Sequence, residues 1–295
     1  MKVWLNGKFI NQKQAKVDIL SHTLHYGTGV FEGIRCYQTK NGPAVFRLKE
    51  HIERLFNSAK FLNIKINFSK EEVIGAVLKT IKINKLKECY IRPIVFLNPQ
   101  VKLDIANLES NLAIITVPFP KYLGEKPIKA KISKFIRLHP GSVISEAKAC
   151  GYYINSVLAT LDAKKSGFEE AILLDYKGFV AEGPGENIFM VKNKIIYTPA
   201  LGSILPGITR KTVINLARDF KIKLIEKNIK PQEIKNADEA FFTGTAAEIT
   251  PIYKIDNQVI GNGQVGEITN LIKNTYQKIV YGEIKKYNHW LSFVN

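Results

Sequence analysis

Hydrophobic positions in the first part of the chain follow two periods, and each predicts a kind of element. VWL and KFI flank Asn6-Gly7, a pair suited to a type I′ turn, so the N-terminus reads as a β-hairpin. Leu48, Ile52, Leu55, Phe56, Ala59 and Leu62 fall on one helical face and predict a helix around 48–63. Ser69 and Glu72 have capping-box spacing, and Val73, Ile74, Val77, Leu78 and Ile81 carry a second helix onward. CYIRPIVFL (89–97) and LAIITVPF (112–119) read as strands, the second largely buried.

PFPKYLGEKP (118–127) holds three prolines and a glycine, which places an interdomain linker at 119–127. Short strands follow in IKAKISKFI, EAILLDYKGFVAEG, NIFMVKNKIIYTP, IKLIEKNI and EAFFTGT, with helices at about 152–166, 208–220 and 264–281. Ile154, Val157, Leu158 and Leu161 share one helical face. The expectation is an α+β protein, with a small domain over 1–118 and a larger, mostly antiparallel, barrel-like domain over 128–295.

Composition narrows this picture. Hydrophobic residues make up 45% and charged residues 23% of 295, as in ordinary globular proteins. No stretch approaches a membrane span, and MKVWLNGKFI has no apolar signal region. Cys36, Cys89 and Cys150 lack metal or redox spacing and fit a reducing cytoplasm. A net charge of +17 invites a nucleic-acid reading, but the positive residues are scattered, so a solvated surface is the preferred interpretation.

Candidate chemistry lies in a few short stretches. In HTLHYGTGVFEG (22–33), His22 and His25 have no carboxylate to complete a metal set. Its glycines do not match a dinucleotide loop, yet they let the backbone approach something closely, with Tyr26 and Phe31 as walls. Lys148 stands among small residues in SEAKACGYYINSVLATLDAKKSG (145–167), where backbone and ligand can come close. In EGPGENIF (182–189), Glu182 ends a strand and could hold a ligand nitrogen. LPGITR (205–210) leads into a helix whose first turn, with Ile208 and Thr209, forms an anion site. FFTGTAAEITP (241–251) ends a strand in threonines and backbone N–H groups suited to phosphate or carboxylate. Together these features ask for one ligand with a phosphate, a ring nitrogen and an electrophile for a lysine amine. Pyridoxal phosphate has all three.

HYGTGVFEGIRCY, HIERLFNSAK, YIRPIVF, AKACGYYINSVLA, AEGPGENIF, LPGITR and TGTAAEITP occur in the order found in branched-chain amino acid aminotransferases. The chain resembles that family, of the class IV, D-alanine aminotransferase-like pyridoxal-phosphate fold, over nearly its whole length. The resemblance implies a small α/β-sandwich domain and a larger pseudobarrel domain that carries the cofactor lysine. It implies that Lys148 binds the cofactor covalently, Glu182 faces the pyridine nitrogen and Tyr153 bonds the phenolic oxygen. Arg54, the Ile208 and Thr209 N–H groups, and the Thr209 and Thr245 hydroxyls would hold the phosphate. Thr245 and Ala246 would meet the substrate carboxylate. Tyr26, Phe31, Gly33, Tyr90 and Tyr122 would line the substrate pocket, with Arg92 available for the side-chain carboxylate of glutamate.

The implied reaction moves an amino group between L-leucine, L-isoleucine or L-valine and 2-oxoglutarate by a ping-pong cycle in the cytoplasm. The implied assembly is a homo-oligomer, a dimer or a trimer of dimers, with no metal, nucleic acid or membrane partner. D-amino-acid aminotransferase and aminodeoxychorismate lyase are the alternatives within the class. A basic nucleic-acid-binding protein is the alternative outside it. Three departures stand out: Pro184 beside Glu182, Tyr152 beside Tyr153, and FLNPQVKLDIANLES (96–110) in place of a glycine-rich loop.

Overall fold

The computed structural model describes residues 1–118, 123, 124 and 126–294. The linker expected at 119–127 lies largely outside the described residues, and so does Tyr122. Contacts divide the chain into two compact units. One is Met1–Phe119 with Ala147–Tyr152 and Lys278–Asn295; the other is Pro120–Glu146 with Tyr153–Gln277. The segment bearing Lys148 and the C-terminal segment therefore pack with the first unit, although both follow the proline-rich stretch in sequence.

The first unit opens with the expected hairpin, β1 (Lys2–Leu5) and β2 (Lys8–Asn11). Asn6 and Gly7 have φ of 46° and 87°, as a type I′ turn requires. Helix α1 (His22–Tyr26) and strands β3 (Val30–Phe31), β4 (Ile34–Thr39) and β5 (Gly42–Phe46) follow. Next come helices α2 (Leu48–Phe61) and α3 (Lys70–Ile83), then strands β6 (Cys89–Leu97) and β7 (Ser110–Val117). The capping box at α3 forms as the spacing predicts: Glu72 N–H donates to the Ser69 hydroxyl at 3.2 Å, and Ser69 N–H to the Glu72 carboxylate at 2.7 Å.

The antiparallel sheet runs from the C-terminal strand Leu291–Phe293 through β5, β4, β6, β7 and β1 to β2, with β3 also on β6. Burial alternates cleanly along β6. Cys89, Ile91, Val95 and Leu97 join Leu48, Ile52 and Leu55 of α2 and Val73, Val77 and Ile81 of α3 in one core. Tyr90 and Arg92 are thereby turned to the opposite face. This alternation fixes which side of the sheet is available for chemistry.

The second unit begins with β8 (Ile128–Ile132), α4 (Tyr153–Lys165), β9 (Glu170–Leu174) and β10 (Val180–Glu182). It continues through β11 (Asn187–Lys192), β12 (Ile195–Thr198), α5 (Ile208–Asp219), β13 (Leu224–Glu226) and α6 (Pro231–Lys235). Strands β14 (Glu239–Gly244), β15 (Glu248–Ile255) and β16 (Gln258–Val259) lead to α7 (Glu267–Val280). The sheet order is β10-β9-β8-β15-β14-β11-β12-β13, with β16 on β15. Its pairs are antiparallel except β8 with β9, β8 with β15 and β12 with β13. Ile172, Ile188, Ile234, Phe242 and Ile252 form its core. The α+β class expected from the pattern is what the chain adopts.

Helix α4 departs from the simple reading of its spacing. Its buried positions are the small residues Ser156, Ala159 and Ala163. Ile154, Val157, Leu158 and Leu161 share the opposite face and are 64%, 50%, 39% and 49% exposed.

Candidate active site

Lys148 is held by its own backbone. Phe31 N–H donates to the Lys148 carbonyl at 3.1 Å, Cys150 N–H to Gly29 at 2.8 Å and Gly151 N–H to Gly27 at 3.0 Å. With the Val30–Ala149 bridge, residues 148–151 lie as a short antiparallel addition along 27–31. The small residues of both stretches explain the approach: a Cβ on Gly27 would stand 2.5 Å from Gly151 Cα. Ala147 and Ala149 are buried, and Lys148 N–H donates to the buried Ser58 hydroxyl of α2 at 3.0 Å. The backbone is thus anchored on both sides, and the Lys148 ammonium sits 5.0 Å from the Phe31 ring centroid.

The same helix carries Arg54 and His51 to Glu32, which is fully buried. Arg54 donates from Nε to Glu32 Oε1 at 2.6 Å and from Nη2 to Oε2 at 3.0 Å, a two-point clamp. His51 Nδ1 lies 2.7 Å from Oε2, and Gly33 N–H donates to that oxygen at 3.2 Å. Burial alone would raise the Glu32 pKa, but Arg54 and His51 outweigh it and hold the carboxyl far below the usual carboxylate range. Burial lowers the pKa of His51, with Glu32 opposing and Arg54, then Lys148, adding to the shift.

Phe31, Gly33, Tyr90 and Arg92 come together on the face of β6 away from the core. The Arg92 guanidinium lies 4.5 Å from the Phe31 centroid and 5.3 Å from that of Tyr90, and it donates to the Tyr90 hydroxyl at 3.0 Å. Its Nε is buried with no hydrogen-bond partner among the described residues. Gly33 makes room for Tyr90, since a Cβ there would be 1.9 Å from the tyrosine hydroxyl. Tyr26 makes its contacts elsewhere: it is 44% exposed and donates its hydroxyl to the Val101 carbonyl. Cys150 is half-buried, and burial pushes its thiol up to about 11, against the pull of Arg92 and Lys148. It is therefore a thiol at neutral pH rather than a nucleophilic thiolate.

In the second unit Glu182 is buried at the end of β10. Arg137 Nε donates to its Oε1 at 2.7 Å, while Asn187 Nδ2 and Leu205 N–H each donate to Oε2 at 3.1 Å. Asn187 also donates to the Leu205 carbonyl, tying the carboxylate to the loop that leads into α5. Arg137 reaches Asn155 in the first turn of α4, the turn that begins with the half-buried Tyr153. Helix α5 is preceded by Gly207, an N-cap with no side chain to bond its first turn, where Ile208 and Thr209 are buried. Thr245 and Ala246, both half-buried, form the tight turn between β14 and β15. Thr243, just before that turn, is buried with its hydroxyl unpartnered among the described residues.

Sequence reading missed Glu32, His51, Ser58, Arg137 and Asn187. The contacts of Glu32 with His51, of Ser58 with Lys148 and of Arg137 with Glu182 join residues distant in sequence, so no local pattern marks them, whereas Asn187 bonds Glu182 five residues away within EGPGENIF. One trace was present: His51, Arg54 and Ser58 share a stripe of α2. Among the described residues no group of three or more His, Cys, Asp and Glu could hold a metal ion.

Residues 29–255 match the family model described as Amino-transferase class IV. A branched-chain-amino-acid aminotransferase of Pseudomonas aeruginosa is 42% identical over 99% of this chain and 97% of its own length. The crystal structure of the branched-chain aminotransferase from Thermoproteus uzoniensis with norvaline superposes with a TM-score of 0.97 at 46% identity, covering 100% of this chain and 99% of that one. A second crystal structure, of a T.th. branched-chain amino acid aminotransferase complexed with N-(5'-phosphopyridoxyl)-L-glutamate, gives 0.95 at 39% identity, covering 100% and 98%. The chain belongs to the class IV aminotransferase family.

Proposed function

We propose that this chain is a branched-chain amino acid aminotransferase, moving the amino group of L-leucine, L-isoleucine or L-valine to 2-oxoglutarate with pyridoxal phosphate as cofactor. The observation that carries this reading is the end-to-end likeness, at 46% identity, to an enzyme solved with an aliphatic amino acid. The relative complexed with N-(5'-phosphopyridoxyl)-L-glutamate supports glutamate as the other amino acid.

The residues present fit the cofactor. The buried, unpartnered Arg92 Nε and Thr243 hydroxyl mark polar positions suited to a ligand, and the N-cap of α5 is Gly207, which brings no side chain to the helix start. Lys148 would hold the cofactor covalently. Arg54, Ile208, Thr209 and Thr245 would take the phosphate, Tyr153 the phenolic oxygen and Glu182 the pyridine nitrogen. When bound, pyridoxal phosphate supplies a carbonyl carbon that accepts amines and a ring that takes up the electron pair left at the substrate Cα.

The chain's own groups do the rest. Lys148 Nζ would move the proton at the substrate Cα, and its anchored backbone limits where that amine reaches. Glu182, fixed by three donors, would present its carboxylate to the ring nitrogen and hold a proton there. Thr245 and Ala246 bind the substrate carboxylate. Phe31, Gly33 and Tyr90 would line the pocket for an aliphatic side chain. Arg92 lies between two rings and serves the second carboxylate of glutamate, so one pocket accepts both partners of a ping-pong cycle.

Two further parts of the reading concern the whole protein. The exposed apolar face of α4 supports a homo-oligomer. The neighbouring free thiols of Cys36 and Cys89, in register across β4 and β6, support a reducing cytoplasm.

The test is a visible absorption spectrum of the purified protein. A bound-cofactor band should bleach with L-leucine, return with 2-oxoglutarate and disappear in Lys148→Ala. A band that ignores L-leucine and responds to D-alanine would move the enzyme to the D-specific branch. Absence of any band after supplying the cofactor would sink the reading.

A further inference from the structure

Glu32 is the most deeply buried carboxylate near Lys148, and nothing in the reaction above uses it. Its oxygens accept from Arg54 twice, from His51 and from Gly33 N–H, which fills the carboxylate. With no proton on Glu32, the hydrogen in the short His51 contact belongs to Nδ1, so His51 is the donor. A buried ion pair is poor evidence for stability, because desolvating both charges offsets most of their attraction. What such a pair does well is fix geometry. Here the geometry it fixes adjoins the anchored lysine. Phe31, the residue before Glu32, bonds the Lys148 carbonyl, and Ser58, one turn beyond Arg54, bonds the Lys148 N–H.

Resting on the functional reading above, we propose that Glu32 and His51 are positioning residues for Arg54, aiming its guanidinium at the cofactor phosphate. A guanidinium carries five N–H donors in a rigid fork. The Glu32 clamp uses two of them and sets the plane in which the others point. His51 braces the carboxylate from its second oxygen, so the fork cannot swing by rotating Glu32. The cost of ordering a long, flexible side chain is thereby met before the phosphate arrives.

The experiment titrates the full-length apoprotein with pyridoxal phosphate and, separately, with pyridoxal, which lacks the phosphate. The ratio of the two dissociation constants reads the phosphate contribution without measuring activity. Glu32→Gln should weaken pyridoxal phosphate by roughly tenfold or more, as loss of a charge-assisted, orienting pair implies. Pyridoxal should change by less than about twofold on the same scale. In an Arg54→Gln background, Glu32→Gln should add less than about twofold, since positioning acts only through the arginine. His51→Gln, which leaves the carboxylate in place, should shift the same ratio in the same direction by a smaller factor and serves if Glu32→Gln folds poorly.

An unchanged ratio in Glu32→Gln beside a wild type that binds normally would overturn the inference alone. Equal weakening of both ligands would do the same, because Glu32 would then merely support the fold. A wild-type chain that takes up no pyridoxal phosphate would overturn the functional reading and this inference together.

Discussion

Glu32 and His51 tie ionisation to folding, and the sign of that linkage is fixed by their surroundings. Arg54 and His51 hold Glu32 below its ordinary range despite burial, and burial lowers His51 despite Glu32. In both cases the folded chain binds fewer protons than the unfolded chain, so unfolding takes up protons and acid destabilises. The His51 contribution is intact above an unfolded imidazole value of about 6.5 and fades below it; that of Glu32 is intact above about 4.3. Each group adds a slope of at most about 1.4 kcal/mol per pH unit. Urea midpoints of the wild type should therefore fall as pH drops below about 6.5, and more steeply below about 4.3. His51→Gln should flatten the upper part only. A wild type and a His51→Gln variant with parallel profiles between those two values would contradict the assignment of the upper slope to His51.

Among the elements, the docking of 148–151 onto 27–31 depends on glycine at a close approach. Gly27 has φ of 68°, where a side chain costs roughly 1–2 kcal/mol, and a Cβ would overlap Gly151 Cα at 2.5 Å. Overpacking adds roughly 1–3 kcal/mol more. Gly42 is the control: its φ is 103°, and nothing lies within 4 Å of a Cβ there. Gly27→Ala should lower the melting temperature more than Gly42→Ala and should also reduce the fraction of chain that retains cofactor. Equal effects in the two variants would mean that the close approach carries no weight. This docking was half legible in the sequence. The small residues around Lys148 announced a tight approach, but not what was approached. Helices with a strong 3.6-residue repeat were read nearly to their ends, α2 as 48–63 against Leu48–Phe61 and α5 as 208–220 against Ile208–Asp219. Short strands without a repeat were not. β3 has two residues inside a glycine-rich stretch, and Leu291–Phe293 becomes a strand only by pairing with β5. The candidate site divides the same way. Lys148 and Glu182 stand in motifs, whereas Glu32 and Arg137 act through partners far away in sequence, which no local pattern encodes; Asn187 lies five residues from Glu182 in the same motif, but nothing in the motif says that its amide turns back to the carboxylate.

For the whole molecule, the informative element is α4, whose polarity is inverted. A helix on a lone protein turns its large apolar side chains inward. Here Ser156, Ala159 and Ala163 point inward, and Ile154, Val157, Leu158 and Leu161 point to solvent. Burying such side chains against a second copy is worth roughly 1.5–3 kcal/mol each relative to full exposure. That attraction must overcome the repulsion between copies carrying +17 apiece, a term that salt screens. Two outcomes follow for sedimentation velocity. The wild type should associate more tightly as salt is raised, the direction opposite to an assembly held by ion pairs. Val157→Glu with Leu161→Glu should weaken association by roughly a hundredfold or more while leaving the far-ultraviolet circular dichroism unchanged, because both side chains are already outside the core. A double variant that sediments like the wild type would place the interface on another face and leave the inverted helix without a partner.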